Sequence, residues 1–113
     1  MQIPGADRAV IEPAKLHGYL LSSTHPVGRF KAAFFHALGY SPEKWRQLET
    51  DLRRQHLSRD VMLEAQTPYG QKYLIRTTLL GPSGNSAAVV SVWVVLTGEE
   101  FPRFVTAYPE DGR

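Results

Sequence analysis

The second half of the chain most narrows what it can fold into. From Val61 to Thr67, Gln71 to Leu80, Ala87 to Thr97 and Arg103 to Tyr108 the sequence is rich in β-branched and aromatic residues. Each stretch is parted from the next by a turn signal: Pro68-Tyr69-Gly70, Gly81-Pro82-Ser83-Gly84-Asn85 and Gly98-Glu99-Glu100-Phe101-Pro102. A parallel return needs a crossover of about a dozen residues or more, so links this short predict a four-stranded antiparallel meander. Alternation then divides each strand between two faces. In the last strand Val105 and Ala107 suit a core, leaving Phe104, Thr106 and Tyr108 opposite. In the second, Tyr73, Ile75, Thr77 and Leu79 form one face and Lys72, Leu74, Arg76 and Leu80 the other. Either face can be the inner one, and the choice presents Arg76 in one register and Tyr73 in the other.

The first half has helical spacing. Pro13 suits a first helical turn, and Leu16, Tyr19 and Leu20 follow at helical intervals to Leu21, where Ser22-Ser23-Thr24-His25-Pro26 ends the run. Gly28 to Leu38 reads as a second helix whose apolar face is Phe30, Phe34 and Ala37 with Ala33 and Leu38, closed by Gly39. Ser41-Pro42-Glu43 begins a third, with a capping serine, proline at the first position and an acid near the positive end of the dipole. Trp45, Leu48 and Leu52 mark its buried face, and it ends near Leu57. The expected architecture is an α+β domain, about three helices on one face of a four-stranded antiparallel sheet. Residues 1–12 read as an N-terminal arm with a short strand or docking segment at Ala9-Val10-Ile11, 13–109 as one domain and 110–113 as a C-terminal tail.

Composition excludes several classes of function. The 113 residues suit one domain, and none is cysteine, which removes disulfides, thiol nucleophiles and cysteine metal sites. The four histidines show no HExxH or similar spacing, there is no GxSxG elbow, and no cofactor or metal is expected. The glycine-rich Gly81 to Asn85 loop lacks the lysine and strand-to-helix setting of a phosphate-binding loop. No signal peptide or membrane span is evident, so a soluble, cytoplasmic protein without a membrane partner is expected. A net charge of +2 tolerates a nucleic-acid partner without requiring one.

Two stretches hold polar residues that a core does not need: His25-Pro26-Val27-Gly28-Arg29-Phe30-Lys31 and Pro102-Arg103-Phe104-Val105-Thr106-Ala107-Tyr108-Pro109. The first sets a histidine and two cations at a helix start, where free amides and the helix dipole attract phosphate. Metal-independent RNA cleavage needs a base for the 2′-hydroxyl proton, an acid for the leaving 5′-oxygen, and cations or hydroxyls on the charged transition state. His25, Lys31, Arg76, Thr106 and Tyr108 supply these as candidate catalytic residues, with His25 as base or acid. Arg29, Lys72, Tyr73 and Arg103 are candidate substrate-binding residues. The plainer readings are a turn-closing His25, solvated Arg29 and Lys31, a helix-end His56 that complements the dipole, and Trp45 and Trp93 in the core.

The series Pro13-Ala14-Lys15-Leu16, Tyr19-Leu20-Leu21, His25 to Phe35, Leu38-Gly39-Tyr40, Tyr69 to Tyr73, Val92 to Val95 and Pro102 to Pro109 resembles a bacterial domain of unknown function. That domain occurs free-standing and at the C-termini of adhesin-like and polymorphic-toxin proteins. The order of helices followed by an antiparallel sheet is also similar to the ribonuclease toxins that include barnase, EndoU, tRNA-cleaving colicins and RelE-like toxins. This second resemblance implies RNA as partner and a cognate inhibitor; no residue role transfers by motif. Two further expectations compete with the ribonuclease: a protein-interaction domain, such as a toxin-neutralising partner or adaptor, and a nucleic-acid binder without chemistry.

Overall fold

The computed structural model describes residues 1–110. Helix α1 (Pro13–Lys15) runs straight into a π turn, Leu16–Leu20; α2 is Arg29–Ala37; and α3 (Trp45–Asp51) is entered by a 3₁₀ turn, Pro42–Lys44, and extended by a second π turn, Leu52–His56. Strands β1 (Leu63–Thr67), β2 (Gly70–Leu80), β3 (Ser86–Leu96) and β4 (Arg103–Pro109) form one antiparallel sheet in the order β1-β2-β3-β4. The meander and the helix-covered face follow the expectation from sequence. Residues 111–113 of the expected tail lie outside the described residues.

Pairing settles which side of the sheet is covered. Tyr73, Ile75 and Leu79 of β2 are buried, as are Val89, Ser91 and Trp93 of β3, while Lys72, Arg76 and Leu80 lie on the outer side. Strand β4 does not keep the simple alternation. Val92 pairs with Thr106 but Trp93 pairs with Phe104, so Val105 is an extra residue in a β-bulge. Phe104 is therefore core, with its ring 5.2 Å from that of Trp93, and Val105 is displaced from the core position that alternation predicts. The N-terminal segment joins the same edge. Val10 forms a parallel bridge to Arg103, and Ile3, Ala9 and Ile11 are buried in the core.

Helix α2 buries Ala32 and Phe35; of the expected face, Leu38 just past the helix is buried and Phe34 packs against the core, but Phe30 stays 75% exposed with the Arg29 guanidinium 4.8 Å from its ring centre. The sequence is apolar around most of this helix, so periodicity alone does not choose the face. Gly39 turns the chain out with φ 104°, as a helix-closing glycine does. Ser41 makes no side-chain cap to the helix amides, because a 3₁₀ turn intervenes before α3.

His56 departs most from its expected role. It is fully buried at the end of α3, with Nδ1 2.8 Å from Ser91 Oγ, which also accepts Trp93 Nε1–H at 2.9 Å. Burial lowers its pKa to about 4. The unfolded ring takes its proton near pH 6.5 and the folded ring only near 4, so stability falls as pH drops through that window. About 2–3 kcal/mol should be lost between pH 7.5 and 4.5, read from urea midpoints. Equal losses in wild type and His56→Gln would contradict this assignment.

A second buried polar contact ties α3 to the loop that follows α2. Tyr40 donates its hydroxyl to Asp51 Oδ2 at 2.6 Å, and Gln47 Nε2 donates to Asp51 Oδ1 at 3.0 Å. Burial and Asp51 hold the Tyr40 phenol well above its usual pKa. Tyr40→Phe removes one of two donors from a buried carboxylate and should cost about 1–3 kcal/mol in urea unfolding at neutral pH.

Candidate functional site

The start of α2 lies against the π turn of α1 because Gly28 has no side chain: a Cβ there would meet the Tyr19 carbonyl and ring. This close approach brings three polar tips together at the β4 edge. Lys31 Nζ donates to Thr106 Oγ1 at 2.8 Å and to Tyr19 Oη at 2.9 Å, and Tyr19 Oη lies 3.3 Å from Thr106 Oγ1. The ring of His25 stands edge-on to Tyr19, with centroids 5.0 Å apart. All four side chains are half-buried, wet enough to meet a ligand and dry enough to strengthen charge interactions.

Burial alone would raise the Tyr19 pKa. Hydrogen bonds from Lys31 and Thr106, with the positive charges of Lys31 and Lys15, outweigh it, so the phenol ionises more readily than a free tyrosine. Sequence reading missed Tyr19, since its helical spacing with Leu16 and Leu20 reads as core. The distinguishing signal is three-dimensional, because its partners come from α2 and β4.

The helix start is not the open cradle of amides that the sequence suggests. His25 Nδ1 accepts the backbone N–H groups of Val27 and Gly28, each at 3.0 Å, and the His25 carbonyl accepts Arg29 N–H at 3.1 Å. The N–H groups of Phe30 and Lys31 reach the carbonyls of Val27 and Gly28. An anion here meets side chains rather than bare amides. The two amide donors also fix the neutral ring of His25 with its proton on Nε2. In that form the ring has no free lone pair; it offers one N–H.

The remaining candidates are dispersed. Arg76 and Tyr108 flank Val90 on the outer face of the sheet, and Arg76 pairs with Glu110 at 3.1 Å. Lys72 is exposed on the same face. Tyr73 is only 6% exposed and belongs to the core. Arg103 is held by both oxygens of Glu99 at 2.8 and 2.9 Å. Arg29 is exposed over Phe30, away from the Lys31 cluster's hydrogen bonds.

Two depressions flank the Tyr19–Lys31–Thr106 cluster. One of about 360 Å³ is lined by Glu12, Ala14, Lys15, Gly18, Tyr19 and His25. An apolar one of about 450 Å³ lies on the outer face of the sheet and reaches Thr106 and Tyr108. Among the described residues no three His, Asp or Glu side chains gather as a metal-holding group, and no helix is long and apolar enough to cross a membrane.

The α+β fold has known relatives. Residues 2–111 match the family described as "Domain of unknown function (DUF6883)", and the chain belongs to that family. Its fold is similar to that of one chain of a "Contact-dependent growth inhibition toxin - immunity protein complex from Klebsiella pneumoniae 342". The two align with a TM-score of 0.70 and 19% identity over 92% of this chain and 95% of that one. No curated protein matches the sequence.

Proposed function

We propose that the protein is a toxin-type endoribonuclease domain that cuts RNA by transesterification without a metal ion. The observation behind this is the Lys31 ammonium, held at 2.8 and 2.9 Å by Thr106 and by Tyr19, whose ring meets that of His25 edge-on. These groups answer the demands of the reaction. The 2′-oxygen attacks phosphorus, the bond from phosphorus to the 5′-oxygen breaks, and the products are a 2′,3′-cyclic phosphate and a 5′-hydroxyl. Tyr19, as phenolate, takes the 2′-hydroxyl proton, and Lys31 gives a proton to the departing 5′-oxygen. Proton transfer from Tyr19 to Lys31 over their existing hydrogen bond restores the starting state. His25 Nε2–H and the Lys31 charge stabilise the phosphoryl oxygens as negative charge gathers there. Thr106 holds Lys31 in place.

His25 thus acts as a hydrogen-bond donor and as the acceptor for two amides of the turn that leads into α2, and two substitutions separate these jobs. Asparagine can keep an acceptor for the Val27 and Gly28 amides while losing Nε2–H; alanine loses both. His25→Asn should retain near-wild-type thermal stability and cut RNA about 10²-fold more slowly. His25→Ala should lose activity and about 1 kcal/mol of stability as well. Full activity in His25→Asn would remove the ring from the reaction.

The toxin–immunity origin of the structural relative supports a partner protein for this chain, either an inhibitor of its activity or, in a second reading, a toxin that it neutralises. The uncovered apolar depression on the sheet favours giving the second reading a direct test. A tight complex with another protein that survives Lys31→Ala, with no RNA cleavage by the free chain, would support the neutralising role.

A further inference from the structure

The outer face of the sheet carries a groove that the cleavage chemistry does not use. Val92, Val94 and Val105 line it, with Tyr69, Tyr108 and the exposed Lys72. At about 450 Å³ it is in the range of small-molecule sites, roughly 300–1,000 Å³. No carboxylate lines it. The bulge in β4 brings Val105 into the groove's lining by turning it out of the core alternation. Thr106 belongs both to this groove and to the cluster, where its hydroxyl accepts Lys31 Nζ–H at 2.8 Å. A phosphate bound at Lys31 is therefore one side chain away from an apolar slot with aromatic walls.

We propose that this groove is a nucleobase subsite, in which the unpaired base next to the phosphate held at Lys31 packs against Val92, Val94 and Val105 beside Tyr108. The proposal rests on the ribonuclease reading and adds a substrate class to it. Apolar and aromatic walls accept the flat face of any base, whereas a base stacked within a duplex cannot present that face. Lys72 and Lys31 place positive charge in the groove's lining and at one end, complementary to a phosphate chain. The substrate is thus RNA that is single-stranded at the cut, such as a loop.

The test is a methyl NMR titration of the full chain with adenosine and uridine 3′-monophosphates, set against ribose 5-phosphate and inorganic phosphate. Nucleotides should shift the methyls of Val92, Val94 and Val105, whereas inorganic phosphate should leave them in place. Tyr108→Ala should weaken nucleotide binding about tenfold with phosphate affinity unchanged, and Tyr108→Phe should keep most of it. Nucleotides that bind no tighter than ribose 5-phosphate, or that leave these methyls unmoved, overturn the subsite. So does a protein partner that occupies the groove while nucleotides do not. RNA cleavage measured on the same preparation separates the two claims. Cleavage without any contribution from the base removes the subsite alone, and nucleotide binding in the groove without cleavage removes the ribonuclease alone.

Discussion

Lys31→Ala should lower the rate of RNA cleavage about 10³-fold while leaving the protein folded. Removal of a single preorganised donor to a charged transition state costs about 10²–10³-fold, and loss of a positioned proton donor typically costs 10²–10⁴-fold. Lys31 holds both positions in the proposed reaction. The substitution takes a half-buried ammonium from the first turn of α2, where a cation opposes the helix dipole, so the fold loses little. Tyr19 and Thr106 keep their mutual contact at 3.3 Å. Single-turnover cleavage of labelled RNA, with circular dichroism on the same sample, checks both halves. Cleavage within threefold of wild type would remove Lys31 from the mechanism.

Tyr19→Phe should slow cleavage by about 10²–10³-fold and change its pH dependence. In the wild type the rate should rise with pH until the Tyr19 phenol is ionised, and that rise should fall below the range of a free tyrosine, because Lys31 and Thr106 stabilise the phenolate. Phenylalanine keeps the ring against His25 and beneath Lys31 but has no proton acceptor. The variant should retain its melting temperature within a few degrees and show a flat profile over the same pH range. An unchanged profile would assign the 2′-hydroxyl proton to another acceptor. Thr106→Val, which removes one acceptor from Lys31 and leaves Tyr19 in place, should cost closer to tenfold.

Much of the fold was legible because its signals are local. Three turn sequences, Pro68 to Gly70, Gly81 to Asn85 and Gly98 to Pro102, separate four strand-like stretches and force the meander, which the pairing β1-β2-β3-β4 bears out. What could not be read depended on where those elements meet. The bulge at Val105 comes from the fit of β4 to β3, and it reverses the faces of Phe104 and Val105 although neither Val105 nor its neighbours in the chain is a Gly or Pro. The buried side of α2 depended on which of its apolar residues met the core. His56 reads as a helix-end cation, and only the approach of β3 turns it into a neutral core residue on Ser91.

The candidate site divided along the same line. Lys31 and Thr106 stand 75 residues apart in the chain, and both drew attention as polar residues on elements that did not need them. Tyr19 joins them only because Gly28 lets two helical segments touch. The helix start at His25 stands out in the sequence, but its chemistry depends on ring orientation. The Val27 and Gly28 amides occupy the nitrogen that a base would need. Tyr73 and Arg103 were chosen by residue type, and neighbours absent from their own stretch of sequence determine their fate: burial in the core for one and Glu99 for the other.

The most direct test of the central claim is a timed incubation of wild type and Lys31→Ala with end-labelled tRNA in EDTA, with mapping of the product ends. The proposed chemistry predicts discrete cleavage by the wild type to 2′,3′-cyclic phosphate and 5′-hydroxyl ends, and at most trace cleavage by the variant. Intact tRNA after incubation with folded wild type, or equal cleavage by both proteins, would contradict it.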